Sequence, residues 1–583
     1  MNSLRKIGIK GILIFLNILY IHPNIFGQDL TTYFEKSQYK RTPRYDSTVM
    51  YCHTLEKAVP FIKVTSIGKS HEGREIVMLI AASNQEFTPE KAKLSGKNIV
   101  LIQACIHAGE PDGKDAGFLL FKDFVQNESI RKLLNDNIVL FIPILNVDGH
   151  ERFGPYNRIN QDGPIEMGWR CNAQNLNLNR DYLKAQSAEI KAWLNTFYTW
   201  SPDFFIDCHV TDGADYHYPI TYALEIYGSM SDSITNWQKE KLIPSLEQRM
   251  QKEGFPIFRY VSFRNWFDFE SGLSAWVTPP SLSQGLTALV DCPGLLIESH
   301  MLKNYKTRVL GTYHMIKNVL QLISEQNTEL KKYRANSNKL ISIPKQLPVS
   351  FKALADSQII AFKGVEYTVE KSDLSGGKWF KYNTQKPKTY QLPLFDHFVP
   401  AKTVDIPNFY IVPSGWADKI IPYLDIHRIS YKITEKDSTI DCSFYKFSNV
   451  KLASGSYEGC QRVNSYDIST VIRKEYFRKG SLIISTKQPH YKILIHLLEP
   501  DAPASLLTFG FFNAIFEQKE YGETYVLESL AREMLKNNEI KTKFESFKAN
   551  NPKAESYEIL NWFYLNSNYS DPYLNLYPIG KSY

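Results

Sequence analysis

Short apolar runs alternate with helix-spaced stretches through residues 45–325. Asn98-Ile99-Val100-Leu101-Ile102 is continuous enough for a buried strand, and 138–145 reads the same way, with Pro143 near its end. Residues 203–207 and 295–297 read as two further short strands. Between them, 115–125 has helical spacing through Phe118, Leu119 and Phe121. Residues 189–198 and 306–324 also read as helices, and 231–252 as one long polar–apolar helix. This alternation predicts an α/β fold, a mixed, mostly parallel sheet flanked by helices.

The texture then changes. Residues 325–339, rich in Asn, Lys and Glu, read as a linker or an exposed helix end. Beyond 345 the pattern predicts strands at 365–369, 409–412, 429–433 and 482–484, with a short helix at 417–424. Helical spacing returns over 505–545 through Leu506, Phe509, Phe512, Ile515, Leu527, Leu530 and Met534. The tail after Asn551 has no assignable pattern. The expected organisation is a first domain over 45–325 and a second, α+β domain over 345–583.

Composition narrows the picture. A chain of 583 residues is too long for one core. Its 43% hydrophobic and 13% aromatic content excludes extended disorder. The formal charge of +7 is small for this length, and no basic run interleaves with aromatics, so nucleic acid is not an expected partner. Arg5, Lys6 and Lys10 precede an apolar stretch over 11–21, interrupted by Asn17, and Gly27 is small enough to precede a cleavage site. Residues 1–27 therefore read as a signal peptide, too short in its apolar part for a comfortable membrane span. A retained anchor is the alternative. The expected location is secreted or periplasmic, without stable membrane insertion. The seven cysteines are odd in number and include no Cys-x-x-Cys pair. That excludes a disulfide-rich scaffold and leaves room for one or two bridges. Cys105 and Cys208 read as buried small hydrophobes rather than ligands.

The chemistry is concentrated at strand ends. His107-Ala108-Gly109-Glu110 follows the run ending near Cys105, and its spacing lets His107 and Glu110 converge on one ion. His209 ends the run Phe204-Phe205-Ile206-Asp207-Cys208 and supplies a third ligand if the two strands are neighbours. Two imidazoles and a carboxylate hold zinc and leave a position for water. Glu298 closes Leu295-Leu296-Ile297, where burial raises a carboxyl pKa towards that of a general base. Each residue alone has an ordinary structural explanation. Their joint occurrence, at the strand ends where open α/β sheets place their sites, carries the reading.

In this order the residues resemble the zinc metallocarboxypeptidase family of the carboxypeptidase A/B type. That family shows a His-x-x-Glu pair, an arginine, an Asn-Arg pair, a histidine and a glutamate. Here these are His107 and Glu110, Arg170, Asn179-Arg180, His209 and Glu298. Gly68-Lys69-Ser70-His71-Glu72-Gly73-Arg74 and Asn146-Val147-Asp148-Gly149 look like two further family segments, and the resemblance covers 45–325. It implies one zinc ion on His107, Glu110 and His209, lowering the pKa of its bound water. It makes Glu298 the general base that takes the water's proton and returns it to the leaving amine. Arg170 would stabilise the oxyanion. Arg180, assisted by Asn179, would grip the terminal carboxylate of a peptide substrate, and Arg74 would line the cleft.

Two departures are visible. Asn177 stands where the family has an acid behind the first histidine, with Asp181 nearby as a substitute. No tyrosine occurs in 261–297, where the family carries a mobile one, so the candidates are Tyr260, Tyr227, Tyr222, Tyr218 and Tyr216. These departures keep open an amidase or endopeptidase acting on cell-wall peptides or other acyl amides, and a binding protein with a decayed site. The second domain offers no catalytic set; a cover over the active-site mouth is a role open to it.

Overall fold

A computed structural model describes residues 29–337 and 343–583. The expected signal peptide over 1–27 lies outside the described residues. The first half is built on eight strands: β1 (Ile62–Lys69), β2 (Glu75–Ala81), β3 (Asn98–Gln103), β4 (Asn137–Ile142), β5 (Phe204–Thr211), β6 (Ile220–Ala223), β7 (Ile257–Arg259) and, after the hairpin β8 (Ser262–Asn265) and β9 (Asp268–Ser274), β10 (Gly294–His300). Their order across the sheet is β1-β2-β4-β3-β5-β10-β6-β7. The centre, β4-β3-β5-β10, is parallel, while β1, β2 and β6 join antiparallel. This is the mixed α/β sheet that the alternation predicts. Every residue of β3, β4, β5 and β10 is buried, which is why these strands read as unbroken apolar runs.

Helices cover both faces. Successive residues of a strand point to opposite sides. Cys208 meets the helix Asp112–Gln126, while the preceding Asp207 accepts a hydrogen bond from Ser283 Oγ at 2.5 Å, on the helix Ser283–Leu289. A Cβ at Gly113 would stand 2.2 Å from Cys208 Cβ, so this glycine sets how closely the helix approaches β5. All seven cysteines are free thiols, and Cys105 and Cys208 are fully buried, as expected of small hydrophobes.

Of the two readings of 325–339, a linker or an exposed helix end, the structure shows a helix, Asn327–Ser337, though with Leu330 and Arg334 buried. Arg334 donates to Val290 O at 2.9 Å, which ties this helix to the first half. The second half contains β11 (Gln346–Ala353), β12 (Gln358–Lys371), β13 (Lys378–Phe395), β14 (Phe398–Asp405), β15 (Phe409–Val412), β16 (Lys432–Ile433), β17 (Ser438–Leu452), β18 (Val463–Phe477), β19 (Leu482–Ser485) and β20 (Gly580–Ser582). Six form one sheet, β16-β19-β15-β20-β17-β18, with helices beside it, an α+β arrangement. The strand expected over 429–433 shrinks to two residues. The helical pattern of 505–545 resolves into Thr524–Met534 and Asn538–Asn550. The two halves share a sheet, because β13 pairs in parallel with β9 through Leu394–Leu273 and Phe395–Ser274.

Candidate metal centre and active-site cleft

Loop 104–111 leaves β3 and feeds directly into the helix Asp112–Gln126, which places His107 and Glu110 at the carboxyl end of the sheet. A backbone hydrogen bond from Glu110 N to His107 O (2.9 Å) closes the turn. Gly109 is needed for it: a Cβ there would stand 2.8 Å from Gly168 O. His209 comes from β5, two strands from β4 and adjacent to β3. The donor atoms of His107, Glu110 and His209 all lie within 4.8 Å of one another, and all three residues are buried.

The outer contacts decide which atoms face inward. His107 Nε2 lies 3.0 Å from Asn177 Oδ1, and an amide oxygen only accepts, so Nε2 carries the proton and Nδ1 is left free. His209 Nε2 lies 3.1 Å from Asp207 Oδ2, which again leaves Nδ1 inward. The two Nδ1 atoms are 3.3 Å apart, with Glu110 oxygens 3.2 and 3.1 Å from them. Val210 N donates to Glu110 Oε2 at 3.0 Å and fixes that carboxylate. Burial holds His107 down at about 4, against the pull of Glu110, so it is neutral at pH 7. Burial also acts against charge on His209, but Asp207 and Glu110 outweigh it and hold that imidazole well above its ordinary value. The carboxylates of Glu110 and Asp207 around these nitrogens favour positive charge in the pocket. Two imidazoles and a carboxylate converging there fit a zinc ion.

Glu298 sits on β10 directly beside His209 in the parallel register. It is 8% exposed, and burial, opposed by His209 and reinforced by Glu110, Asp207 and Asp212, pushes its carboxyl up to about 8. His107, Glu110, Arg170, Asn179, Arg180, His209 and Glu298 all line one cleft of about 580 Å³. Asn146 joins two of its walls by donating to Ile106 O (3.3 Å) and Arg170 O (3.2 Å). Arg170 Nη1 lies 3.5 Å from Glu110 Oε1. Arg180 donates to Asn179 O at 2.5 Å, and Asn179 Oδ1 is buried without a partner among the described residues.

Arg74 is placed elsewhere. It is not among the cleft-lining residues; its guanidinium is paired with Asp148 (2.7 Å) and Glu72. Asp148 also accepts from Ser70 Oγ at 2.7 Å, so the two resembling segments meet in a structural knot. Asn177 does occupy the position behind His107. Asp181 does not substitute for an acid there, because its oxygens accept from Lys184, Gln186 and Ser187. Of the five candidate tyrosines, Tyr260 lines the cleft. Burial and the charge of Glu298 push its phenol up, so it stays a protonated donor.

Arg158 went unnoticed in the sequence. Its Nη2 lies 2.9 Å from Glu110 Oε1. It belongs to a loop with neither period nor motif, and only the contact of that loop with Gly109 brings it in. Asp212, Trp276 and Gln284 also line the cleft without a sequence signal.

Residues 48–252 match the family model described as zinc carboxypeptidase. The matched segment holds every cleft residue of the resemblance except Glu298, which lies beyond it. Carboxypeptidase Z of Rattus norvegicus is 32% identical over 137 residues, and that of Homo sapiens 30%, each match covering 22% of this chain and 19% of the relative. The chain thus spans about a fifth of the curated relatives it matches. Among solved structures, a metallo-carboxypeptidase from Burkholderia cenocepacia is similar at 17% identity, with a TM-score of 0.36 over 48% of this chain and 70% of that one. Carboxypeptidase A from Helicoverpa armigera gives 16% and 0.37, over 50% and 75%.

Proposed function

We propose that this chain, whose residues 48–252 belong to the zinc carboxypeptidase family, is a secreted zinc metallopeptidase that removes C-terminal residues from peptides. The observation that carries the reading is the meeting of His107, Glu110, His209, Glu298 and two arginines in one cleft. His107, Glu110 and His209 would hold the zinc ion, which when bound would supply Lewis acidity to a water and the scissile carbonyl. Glu298, buried beside them with a raised proton affinity, takes the proton of the attacking water and delivers it to the leaving amine. Arg170, on the cleft wall and half-exposed, donates to the oxygen where negative charge develops. Arg180 and Asn179 lie across the same cleft and bind the substrate's terminal carboxylate. Tyr260, a neutral donor lining the same cleft, is the tyrosine placed to cap the substrate. Secretion rests on the basic and apolar character of residues 1–27. Among the described residues no helix is long and apolar enough to cross a membrane.

The test is mass spectrometry of a mixed peptide pool incubated with the mature protein, with Glu298→Gln as control. Stepwise loss of single C-terminal residues, absent in the control, is expected. Internal cuts would make the enzyme an endopeptidase, and an unaltered pool despite bound zinc would point to another acyl amide. The clamp has its own check. Arg180→Met removes a charge-assisted, bidentate contact and is expected to cost about 10–100-fold in kcat/KM on free-acid peptides. C-terminally amidated peptides should be nearly unaffected. An equal loss on both would remove Arg180 from the clamp.

A further inference from the structure

We infer that Glu458, from the second half of the chain, is a positioning residue for the metal centre and the carboxylate clamp; the inference rests on the proposed site. Asn177 is the joint on which it acts. The Asn177 side-chain oxygen faces His107 Nε2 at 3.0 Å and accepts from Asn179 N at 3.1 Å. One asparagine thus sets both the metal ligand and the first residue of the Asn179-Arg180 clamp. The backbone of that asparagine is held from outside: Asn177 N donates to Glu458 Oε2 at 2.9 Å, across 281 residues of sequence.

Glu458 stands at the tip of the loop between β17 and β18 and is built to reach. Its φ of 50° is in the left-handed region, which a side-chain-bearing residue adopts only when its surroundings fix it. The tip is closed by paired backbone hydrogen bonds between Tyr457 and Cys460 (2.8 and 3.0 Å). Its back is braced by Asn513 Nδ2, which donates to Gln461 O at 3.0 Å. The far end of the same catalytic segment is pinned by the same half of the chain. His427 Nε2 donates to Leu183 O at 2.7 Å, and Lys184 Nζ lies 5.6 Å from the centre of the Phe509 ring. Residues 177–184, with Arg180 between the two anchors, are therefore clamped at both ends.

The chemistry explains why an acid is useful there. Outer-sphere carboxylates orient a metal-binding imidazole and raise its basicity, and their loss costs about 10–100-fold in metal affinity. Asn177 brings no charge of its own. Glu458 brings one a residue further out, where it fixes the backbone from which the Asn177 amide reaches His107.

The test compares Glu458→Ala with Glu458→Gln in the full chain. Zinc affinity of the metal-free protein is measured by chelator competition, alongside kcat and KM on one free-acid peptide and the thermal midpoint. Glu458→Ala is expected to weaken zinc binding about tenfold and raise KM, with the midpoint unmoved. Glu458→Gln keeps an acceptor for Asn177 N and should recover most of the KM while leaving part of the zinc deficit. Unchanged zinc affinity and KM in Glu458→Ala would overturn the inference, as would a lowered midpoint with neither parameter moved. The zinc measurement decides it even if the protein cleaves no peptide.

Discussion

Replacing Glu298 by glutamine is expected to lower kcat/KM by about 10³ and to leave one zinc per chain. General acid–base groups contribute about 10²–10⁴, and glutamine keeps the size of the side chain while losing the capacity to carry a proton between water and amine. The zinc content should not change, because Glu298 is outside the three-donor cluster. The pH dependence gives a second, independent reading. Burial is the main reason the carboxyl is pushed up to about 8, and His209 is the group that opposes it. A base works only when deprotonated, so kcat/KM falls as pH drops through its pKa. A dication on the neighbouring ligands would replace the single charge of a protonated His209 with a larger one and so move that acid limb below 8. In Glu298→Gln the limb should vanish from the residual activity. A profile measured from about pH 5 to 9 on one peptide checks both points. A variant with activity within about threefold of the parent would show that the proton is carried by another group.

The parts of this molecule legible in the sequence are those where burial writes a pattern. Strands β3, β4, β5 and β10 are buried along their whole length, so their apolar runs stand out, and the ligands that follow them are placed with them. Only 365–369 of the 14-residue strand β12 is legible, and none of the 18-residue β13, because both strands are largely exposed and carry neither a long apolar run nor a sustained two-residue period. β17 and β18 escape for the same reason. The position of Asn177 behind His107 is implied by the family resemblance, in which an acid stands two residues before the Asn-Arg pair. The hydrogen bond from its backbone to Glu458 is not, because nothing local joins two loops 281 residues apart. Arg158 is the counterpart inside the site: a charge delivered by a loop whose path depends on Gly109 and Gly168 lacking side chains. Arg74 shows the opposite error. Its segment looks like the family's, yet Asp148 holds its guanidinium away from the cleft.

His209→Gln should abolish zinc retention through chelator dialysis and lower kcat/KM at least as far as Glu298→Gln. The argument begins with the donor count. The three donors proposed to hold the ion lie within 4.8 Å of one another, and removing one would leave His107 and Glu110, a pair supplied by a single turn. His209 is also fixed on both sides, between Asp207 on one nitrogen and Glu110 on the other. Its pKa, well above the ordinary value because those carboxylates outweigh burial, means that the inward nitrogen gives up a proton when zinc binds. Zinc affinity should therefore rise with pH, and calorimetry in two buffers of different ionisation heat should register proton release in the parent and lose it in His209→Gln. Stability follows the same linkage. A ligand that binds only the folded chain stabilises it by about 2.7 kcal/mol at a hundredfold excess over Kd. Zinc should raise the thermal midpoint of the parent and leave that of the variant where it was. The fold itself should survive, since Arg158 and Arg170 remain beside the Glu110 carboxylate and offset its charge. A His209→Gln protein that keeps a full equivalent of zinc would mean that the ion sits on some other set of donors, and Glu298 would lose its place beside it.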